Sequence, residues 1–183
     1  MGLCDVAKRS LRIGTPIGYD LVVETDGATI VASNFMRRVR AANDEPHPLL
    51  LEARRQVEAY FARKLARFEL PLALRGTPLQ CAIWHFVATL PYGEVISYAD
   101  VGRALGHPRA HRAVAMAMGQ SPYDLFIPAH RVIGADGRIK GANAGSIRRR
   151  LLVFEGMLSS VRDDAIRSWA PDPHCDRPLR RSR

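Results

Sequence analysis

The sequence predicts a small α/β unit, then a mostly helical unit that contains a helix-turn-helix, and then an irregular tail. Two observations carry this prediction. Extended segments rich in Leu and Val precede residue 36, whereas apolar residues recur at helical spacing after residue 48. Further along, four short helical segments alternate with turns that contain glycine or proline. We place the three parts at residues 1–76, 77–157 and 158–183.

The first unit begins with an irregular segment over residues 1–12, and an extended stretch runs from Tyr19 to Thr25. Asp26-Gly27 is a strong hairpin signal, because these residue types accept the conformation of a tight turn. Thr29 to Phe35 is then the return strand. The apolar spacing that follows predicts a helix from Pro48 to about Phe68.

The second unit begins at Thr77-Pro78, since proline suits the first position of a helix, and residues 79–90 form that helix. Ser97, followed three residues later by an acid, matches a helix cap and predicts a short helix to Leu105. A break at Gly106 separates it from a helix over residues 109–119. Two short helices across such a turn form a helix-turn-helix.

Two further elements complete the second unit. Val132 to Ile139 predicts a tight hairpin around Asp136-Gly137, and Ser146 to Met157 predicts the last helix. The tail beyond Met157 mixes charges with prolines, so we expect it to be irregular.

The chain is basic, with a formal net charge of +9 and a pI of about 10.2. Such an excess suits a polyanionic partner such as nucleic acid, whose phosphates supply most of the sequence-independent affinity. Compositional habit is the competing explanation, because all but three of the 27 basic residues are arginine. The basic residues are also spread along the chain, so no segment is a basic arm.

The three cysteines, Cys4, Cys81 and Cys175, are odd in number and widely spaced. A disulfide framework is therefore not expected, and a reducing compartment is more natural. The sequence has no apolar leader and no apolar run as long as a membrane span. We expect a soluble, cytoplasmic, monomeric protein without a membrane partner.

Five blocks of residues resemble the O6-alkylguanine-DNA alkyltransferases in their order and spacing. The blocks are Thr77-Pro78-Leu79-Gln80, Pro91-Tyr92-Gly93-Glu94 with Ser97-Tyr98, Arg112-Ala113-Val114, Pro128-Ala129-His130-Arg131-Val132, and Glu155-Gly156. One short match would be weak evidence, but five in register identify the chain as a member of that family. The resemblance implies a ribonuclease-H-like first subdomain, a helix-turn-helix that binds the minor groove of duplex DNA containing O6-alkylguanine, and no cofactor.

The family signature reads Pro-Cys-His-Arg-Val, and its cysteine accepts the alkyl group from guanine. Here that position holds Ala129, whose methyl side chain has no lone pair and cannot attack carbon. His130 and Glu155 match the histidine that acts as general base and the glutamate that orients it. We therefore expect no catalytic residue, and we expect a His130–Glu155 hydrogen bond to hold the last helix. Arg131 is interpreted as structural.

The resemblance also assigns residues to DNA. Arg112 matches the arginine that fills the gap left by a flipped base, a task that suits a long, planar, always charged side chain. The expected DNA contacts are Tyr98, Arg112, Ala113 and Met118. The expected lesion pocket is lined by Tyr98, Met118, Pro128, Ala129 and Val132. The alternatives are an ordinary surface arginine for Arg112 and a core aromatic for Tyr98.

The chain departs from the family pattern at two further places. Ser121-Pro122 stands where active members carry Asn-Pro, and a shorter loop over residues 141–145 lacks the family's tyrosine at Ala142. This drift favours a natural alkyltransferase-like protein over a laboratory Cys→Ala variant. Cys81 is expected to face away from the pocket, and no standard ligand spacing predicts a metal site.

Three functions remain open from the sequence. The first is a lesion sensor that flips O6-alkylguanine without transferring the alkyl group and recruits nucleotide excision repair proteins. The second is a methylated-DNA–protein-cysteine S-methyltransferase inactivated by a Cys-to-Ala change at position 129. The third is a general DNA-binding module without lesion preference.

Overall fold

The computed structural model describes residues 8–37, 46–139 and 145–166. These residues form two compact units. The first unit contains the described residues up to Arg75 together with the segment Pro122–Phe126, and the second contains the remainder. Residues 122–126 thus belong to the first unit, although the sequence alone assigned them to the second.

The first unit is a three-stranded antiparallel sheet, in the order β1-β2-β3, with one helix packed on it. Its elements are β1 (Arg9–Gly14), β2 (Asp20–Thr25), β3 (Ile30–Met36) and α1 (Pro48–Phe61). The core between sheet and helix is formed by Leu11, Ile13, Leu21, Val23, Ile30, Leu50, Ala53, Val57 and Tyr60. The hairpin predicted at Asp26-Gly27 is present, and Gly27 takes a φ of +95° there.

Two predictions for the first unit are wrong. Residues 9–12, predicted to be irregular, form most of β1. This strand pairs with β2 and buries the alternate side chains of Leu11 and Ile13. The helix predicted to reach Phe68 ends at Phe61, and Arg63 follows with a φ of +59°. Phe68 is partly buried without a helix, and its ring centroid lies 5.4 Å from that of Tyr60.

The segment Pro122–Phe126 joins the first unit through backbone pairing with β3. Asp124 donates its N–H to the carbonyl of Ser33 (2.7 Å), and the Ser33 hydroxyl donates to the carbonyl of Asp124 (2.7 Å). The Asp124 carboxylate accepts the N–H of Phe35 (2.9 Å). The hydroxyl of Tyr123 donates to two carbonyls of the same unit, and burial raises its pKa to about 12.

The second unit is mostly helical. Its elements are α2 (Pro78–Ala88), β4 (Ile96–Ser97), α3 (Tyr98–Ala104), α4 (His111–Gln120), a 3-10 turn (Ala129–Arg131), β5 (Val132–Ile133) and α5 (Gly145–Phe154). The two short strands pair in parallel, Ile96 with Val132 and Ser97 with Ile133. The indole N–H of Trp84 donates to the Ala117 carbonyl (2.8 Å) and ties α2 to α4.

The helices α3 and α4 are the pair that the sequence predicted. Ser97 caps α3 by accepting the N–H of Asp100 (3.1 Å). The helix ends in a Schellman motif, in which Gly106 donates to Arg103 and His107 donates to Gly102. Gly106 takes the required φ of +75°, and a Cβ on Gly102 would lie only 2.8 Å from the His107 carbonyl. The arrangement is consistent with a helix-turn-helix.

The hairpin predicted over Val132–Ile139 is not a two-stranded element. A tight turn closes between Gly134 and Arg138, but Ile139 donates to the carbonyl of Asp164 (2.9 Å), and Ile166 donates to Gly137 (3.0 Å). The first residues of the predicted tail therefore supply the partner. Leu158 and Ile166 are buried at 6% and 4% exposure in one cluster with Val95, Ile133, Ile139 and Leu152.

Candidate functional site

The signature segment forms a single 3-10 turn at the start of β5. Arg131 donates its N–H to the Pro128 carbonyl (2.9 Å), and Ala129 donates to Ile127 (2.7 Å). The side chains of Pro128, His130 and Val132 are buried, whereas Ala129 is partly exposed. Ala129 is therefore more accessible than its neighbours on either side.

A buried carboxylate organises the interior of this site. Glu155, just after α5, accepts from His130 Nε2 (2.9 Å), from Arg131 Nη2 (2.6 Å) and Nε (3.1 Å), and from the Gly93 N–H (3.2 Å). Arg131 Nη1 also donates to the carbonyl of Leu90 (2.5 Å). The side chains of Arg131 and Glu155 are 3% and 0% exposed. We call His130, Arg131, Glu155 and Gly93 the carboxylate cluster.

The charges of the carboxylate cluster are fixed by burial and pairing. Burial opposes ionisation of Glu155, but the hydrogen bonds from His130 and Arg131 and the charge of Arg131 outweigh it and hold the pKa of Glu155 well below its usual range. Burial lowers the pKa of His130 despite the opposing effect of Glu155. The stable arrangement is therefore an ionised Glu155 paired with Arg131 beside a neutral His130.

In this arrangement His130 can act as a base, but the adjacent Ala129 is not a nucleophile. An ionised Glu155 can only accept, so Nε2 of His130 carries the proton and Nδ1 keeps its lone pair. Such a histidine can take a proton from a neighbouring thiol. The adjacent position offers only the methyl group of Ala129.

The expected DNA residues lie at different depths in the second unit. Arg112 is exposed on α4 and makes no hydrogen bond or ion pair with any residue that the structure describes. Ala113 is partly exposed and lines a groove of about 180 Å³ next to α2. Met118 and Tyr98 are only 3% and 8% exposed, which suits the wall of a pocket better than contact with the surface of a duplex.

Sequence reasoning missed Arg148 and the role of Gly93. Arg148, in the first half of α5, lies with Nη1 3.5 Å from the Tyr98 hydroxyl, and its charge contributes to the lowered pKa of His130. The signal was available, since Arg148 and Glu155 are seven residues apart, about two helical turns, and share a face. No local pattern marks the Gly93 N–H as a donor to a side chain 62 residues later.

Some sequence predictions lie outside the described residues, namely Ala142 in its loop and the cysteines Cys4 and Cys175. Cys81 lies on α2 and directs its Sγ to the Gly76 carbonyl (3.6 Å). Within the described ranges, no group of three or more His, Cys, Asp or Glu side chains is arranged to hold a metal ion. None of the helices in those ranges combines the length and the hydropathy that a membrane-spanning segment requires.

Comparisons with known proteins show which family the second unit resembles. The family model described as the 6-O-methylguanine DNA methyltransferase DNA binding domain matches residues 78–157. The chain is 37% identical over 151 residues to a methylated-DNA–protein-cysteine methyltransferase of Methanosarcina barkeri. The match covers 75% of this chain and 96% of that protein. A Methanosarcina acetivorans protein of the same name is 42% identical, with 78% and 94% covered.

Solved structures extend the likeness to the fold of both units. The crystal structure of the Mycobacterium tuberculosis protein OGT in complex with DNA is similar, with a TM-score of 0.68 and 36% identity. The match covers 81% of this chain and 91% of that one. The fold and the signature turn define a DNA repair alkyltransferase scaffold. The chain belongs to the methylated-DNA–protein-cysteine methyltransferase family.

Proposed function

We propose that this protein binds O6-alkylguanine in duplex DNA and marks the lesion for repair without transferring the alkyl group. The observation that carries the proposal is Ala129, which occupies the accessible position of the signature turn beside an intact His130 and Glu155. Alkyl transfer to protein needs a nucleophile with a lone pair. A methyl side chain offers none, so the chain keeps the base and lacks the acceptor.

Recognition of the lesion does not depend on the missing sulfur. Pro128 and Val132 are buried beside Ala129, and the backbone of this turn is held by its own hydrogen bonds and by the carboxylate cluster. Backbone carbonyls keep their positions when a side chain is replaced. The small Ala129 also leaves more room at the turn than a cysteine would, which suits the binding of larger adducts.

The outward face of α4 supports a DNA interface. Arg112, Ala115, Met116 and Gly119 recur at helical spacing and are exposed. A Cβ on Gly119 would meet nothing within 4 Å, so packing inside the chain does not require glycine there, although glycine costs about 1 kcal/mol relative to alanine in a helix. A helix face with small residues beside one arginine suits close approach to a minor groove and stabilisation of a flipped base.

A second function is favoured by the relatives, several of which are named methyltransferases. In this alternative the protein is an O6-methylguanine-DNA methyltransferase inactivated by a Cys-to-Ala change at position 129. The intact His130–Glu155 pair supports it, because this is the support that an acceptor thiolate needs. The third function, a general DNA-binding module, predicts equal affinity for damaged and undamaged duplex.

Methyl transfer from a duplex carrying labelled O6-methylguanine tests whether the chain lacks an acceptor, as both of the first two functions require. The wild-type protein is expected to acquire no label, whereas label on the wild-type chain would overturn the proposal. Cys81→Ala is the matched control, since it removes a thiol of the described chain that could accept the label by another route.

The variant Ala129→Cys decides between drift and a single inactivating change. Full methyl transfer by Ala129→Cys would favour the inactivated methyltransferase. Binding of the lesion by Ala129→Cys without transfer would favour a protein adapted to sensing. In the sensing case we propose nucleotide excision repair proteins as the partners that take over the marked site.

A further inference from the structure

A long apolar side chain lies in the middle of the outward face of α4. Met116 is 64% exposed, more than any other large apolar side chain in the part of the chain that the structure describes. Its neighbours on this face, Ala115 and Gly119, are small and also exposed. Met116 therefore projects further from the helix than the surface beside it.

Packing inside the second unit does not account for the position of Met116. The buried side of α4 is formed by Val114, Ala117 and Met118. Met116 instead lines one side of the groove of about 180 Å³ next to α2 and keeps most of its surface in water. Because the transfer of apolar surface out of water is favourable, a partner that covers this side chain is stabilised by it.

The spacing along α4 pairs Met116 with Arg112. Met116 follows Arg112 by four residues, so the two side chains leave the same face of the helix about 5–6 Å apart. Successive base pairs are about 3.4 Å apart along a duplex, which places the two side chains within about two base steps of each other. The helix carries no acidic residue, so none of its own charges repels a phosphate backbone.

The chemistry of Met116 selects the bases of DNA over the phosphates as its contact. A thioether has no charge and no hydrogen-bond donor, so it gains little from a phosphate. Proteins that bind the minor groove insert apolar side chains, methionine among them, between base pairs, and the insertion unstacks and kinks the duplex. The small Ala115 and Gly119 allow the close approach that insertion requires.

We propose that Met116 is an apolar wedge that enters the minor groove beside Arg112, opens a base step within about two base pairs of the flipped guanine and holds the duplex bent. This inference rests on the proposed function, because it adds a second inserting side chain to the same helix face. An opened step removes part of the stacking that keeps guanine inside the duplex. Met116 is then a positioning residue, which supports the flipped state without contact with the lesion.

The test measures affinity, stacking and bending with the whole chain and two matched duplexes, one of which carries O6-methylguanine. In each duplex 2-aminopurine occupies the second base from the target guanine, on either side in separate preparations. Its fluorescence rises when it loses a stacking neighbour, and at this distance the flipped guanine alone does not unstack it. A dye pair at the two ends of the duplex reports the bend.

The wild-type protein should raise the aminopurine fluorescence on one side of the lesion and bring the two ends of the duplex closer together. Met116→Ala should lose most of both signals and bind the lesion about tenfold more weakly, or by about 1.4 kcal/mol. Alanine is the best helix former and the position is exposed, so α4 should persist, which the melting temperature of the variant checks.

Three further variants assign the effect to the apolar character of one side chain. Met116→Leu should keep most of the fluorescence rise, whereas Met116→Gln, which has nearly the same length and a polar end, should lose as much as Met116→Ala. Met36→Ala is the matched control, because Met36 is 50% exposed on β3 of the first unit, and it should change neither signal. The slope of affinity against salt concentration should be the same in all variants, since none removes a phosphate contact.

The outcomes separate this inference from the proposed function. If the wild type prefers the lesion and Met116→Ala keeps its affinity and fluorescence, the wedge is overturned and the proposed function stands. Wild-type behaviour of Met116→Gln would also overturn the wedge, because the contact would not depend on an apolar side chain. Equal affinity of the wild type for the two duplexes would overturn the proposed function and, with it, the role of Met116 beside a flipped base.

Discussion

Replacement of Glu155 by glutamine tests whether the carboxylate cluster holds the second unit together. In the folded protein both oxygens of Glu155 accept: Oε1 from His130 and from two nitrogens of Arg131, and Oε2 from Arg131 Nε and the Gly93 N–H. A glutamine amide must turn its NH₂ group toward one of these sets of donors. Either orientation therefore places a donor against a donor.

The expected loss is large because Arg131 would keep its charge in a buried site. Its side chain is only 3% exposed, and removal of one partner from a buried ion pair costs about 3–5 kcal/mol. We expect Glu155→Gln to lower the free energy of unfolding by about that amount in chemical denaturation at neutral pH. The control Glu58→Gln makes the same chemical change on the exposed face of α1 and should change stability by less than about 0.5 kcal/mol.

The same variant has a distinct acid dependence. Since the pKa of Glu155 is lower in the folded than in the unfolded protein, its contribution to stability is present above the unfolded value of about 4.3 and is lost as the pH falls below it. The difference between wild type and Glu155→Gln should therefore narrow as the pH falls below about 4. Two results would refute a structural carboxylate cluster. One is a loss in free energy of unfolding below about 1 kcal/mol for Glu155→Gln at neutral pH, and the other is a difference between the two proteins that does not change with pH.

Three other predictions concern the helix pair, the neutral histidine and the start of the tail. Arg112→Ala should weaken binding to an O6-methylguanine duplex more than binding to the undamaged duplex; equal weakening would make Arg112 an ordinary phosphate contact. Burial lowers the pKa of His130 in the folded protein, so the histidine of the unfolded chain takes up a proton first as the pH falls below about 6.5. The free energy of unfolding of the wild type should therefore drop by up to about 1.4 kcal/mol per pH unit relative to that of His130→Gln. A pH-independent difference between the two proteins would contradict a buried neutral histidine. Ile166→Ala should cost about 2–5 kcal/mol in thermal or chemical unfolding, whereas Val161→Ala, at a side chain that is 43% exposed, should cost far less; equal losses would show that Ile166 is not part of the core.

Local chemistry made parts of the fold predictable from the sequence. Ser97 begins α3 because an N-cap is set by residues three positions apart, and Gly27 closes its hairpin because the turn needs a positive φ. The end of α1 was not predictable in this way. Phe68 continues the apolar spacing but lies outside the helix and is partly buried, with its ring packed on those of Tyr60 and Phe126. Such tertiary contacts override a periodic pattern.

The site was predictable where the family pattern reaches and not where long-range pairing decides. The hydrogen bond between His130 and Glu155 followed from the resemblance. The ion pair of Arg131 with Glu155 and the donation from Gly93 join residues 24 and 62 positions apart, and no local signal encodes such contacts. The backbone hydrogen bonds from Ile139 to Asp164 and from Ile166 to Gly137 could not be predicted for the same reason. The tail itself carries several prolines, which are typical of an irregular segment.

The affinity ratio between two matched duplexes, one carrying O6-methylguanine in place of guanine, tests the central claim most directly. Measured at one salt concentration near the physiological value, it removes the non-specific phosphate contribution common to both duplexes. We predict a preference of about tenfold or more for the lesion, or about 1.4 kcal/mol, with no methyl group on the protein afterwards. A ratio near one would contradict the account and leave a DNA-binding scaffold without a lesion pocket.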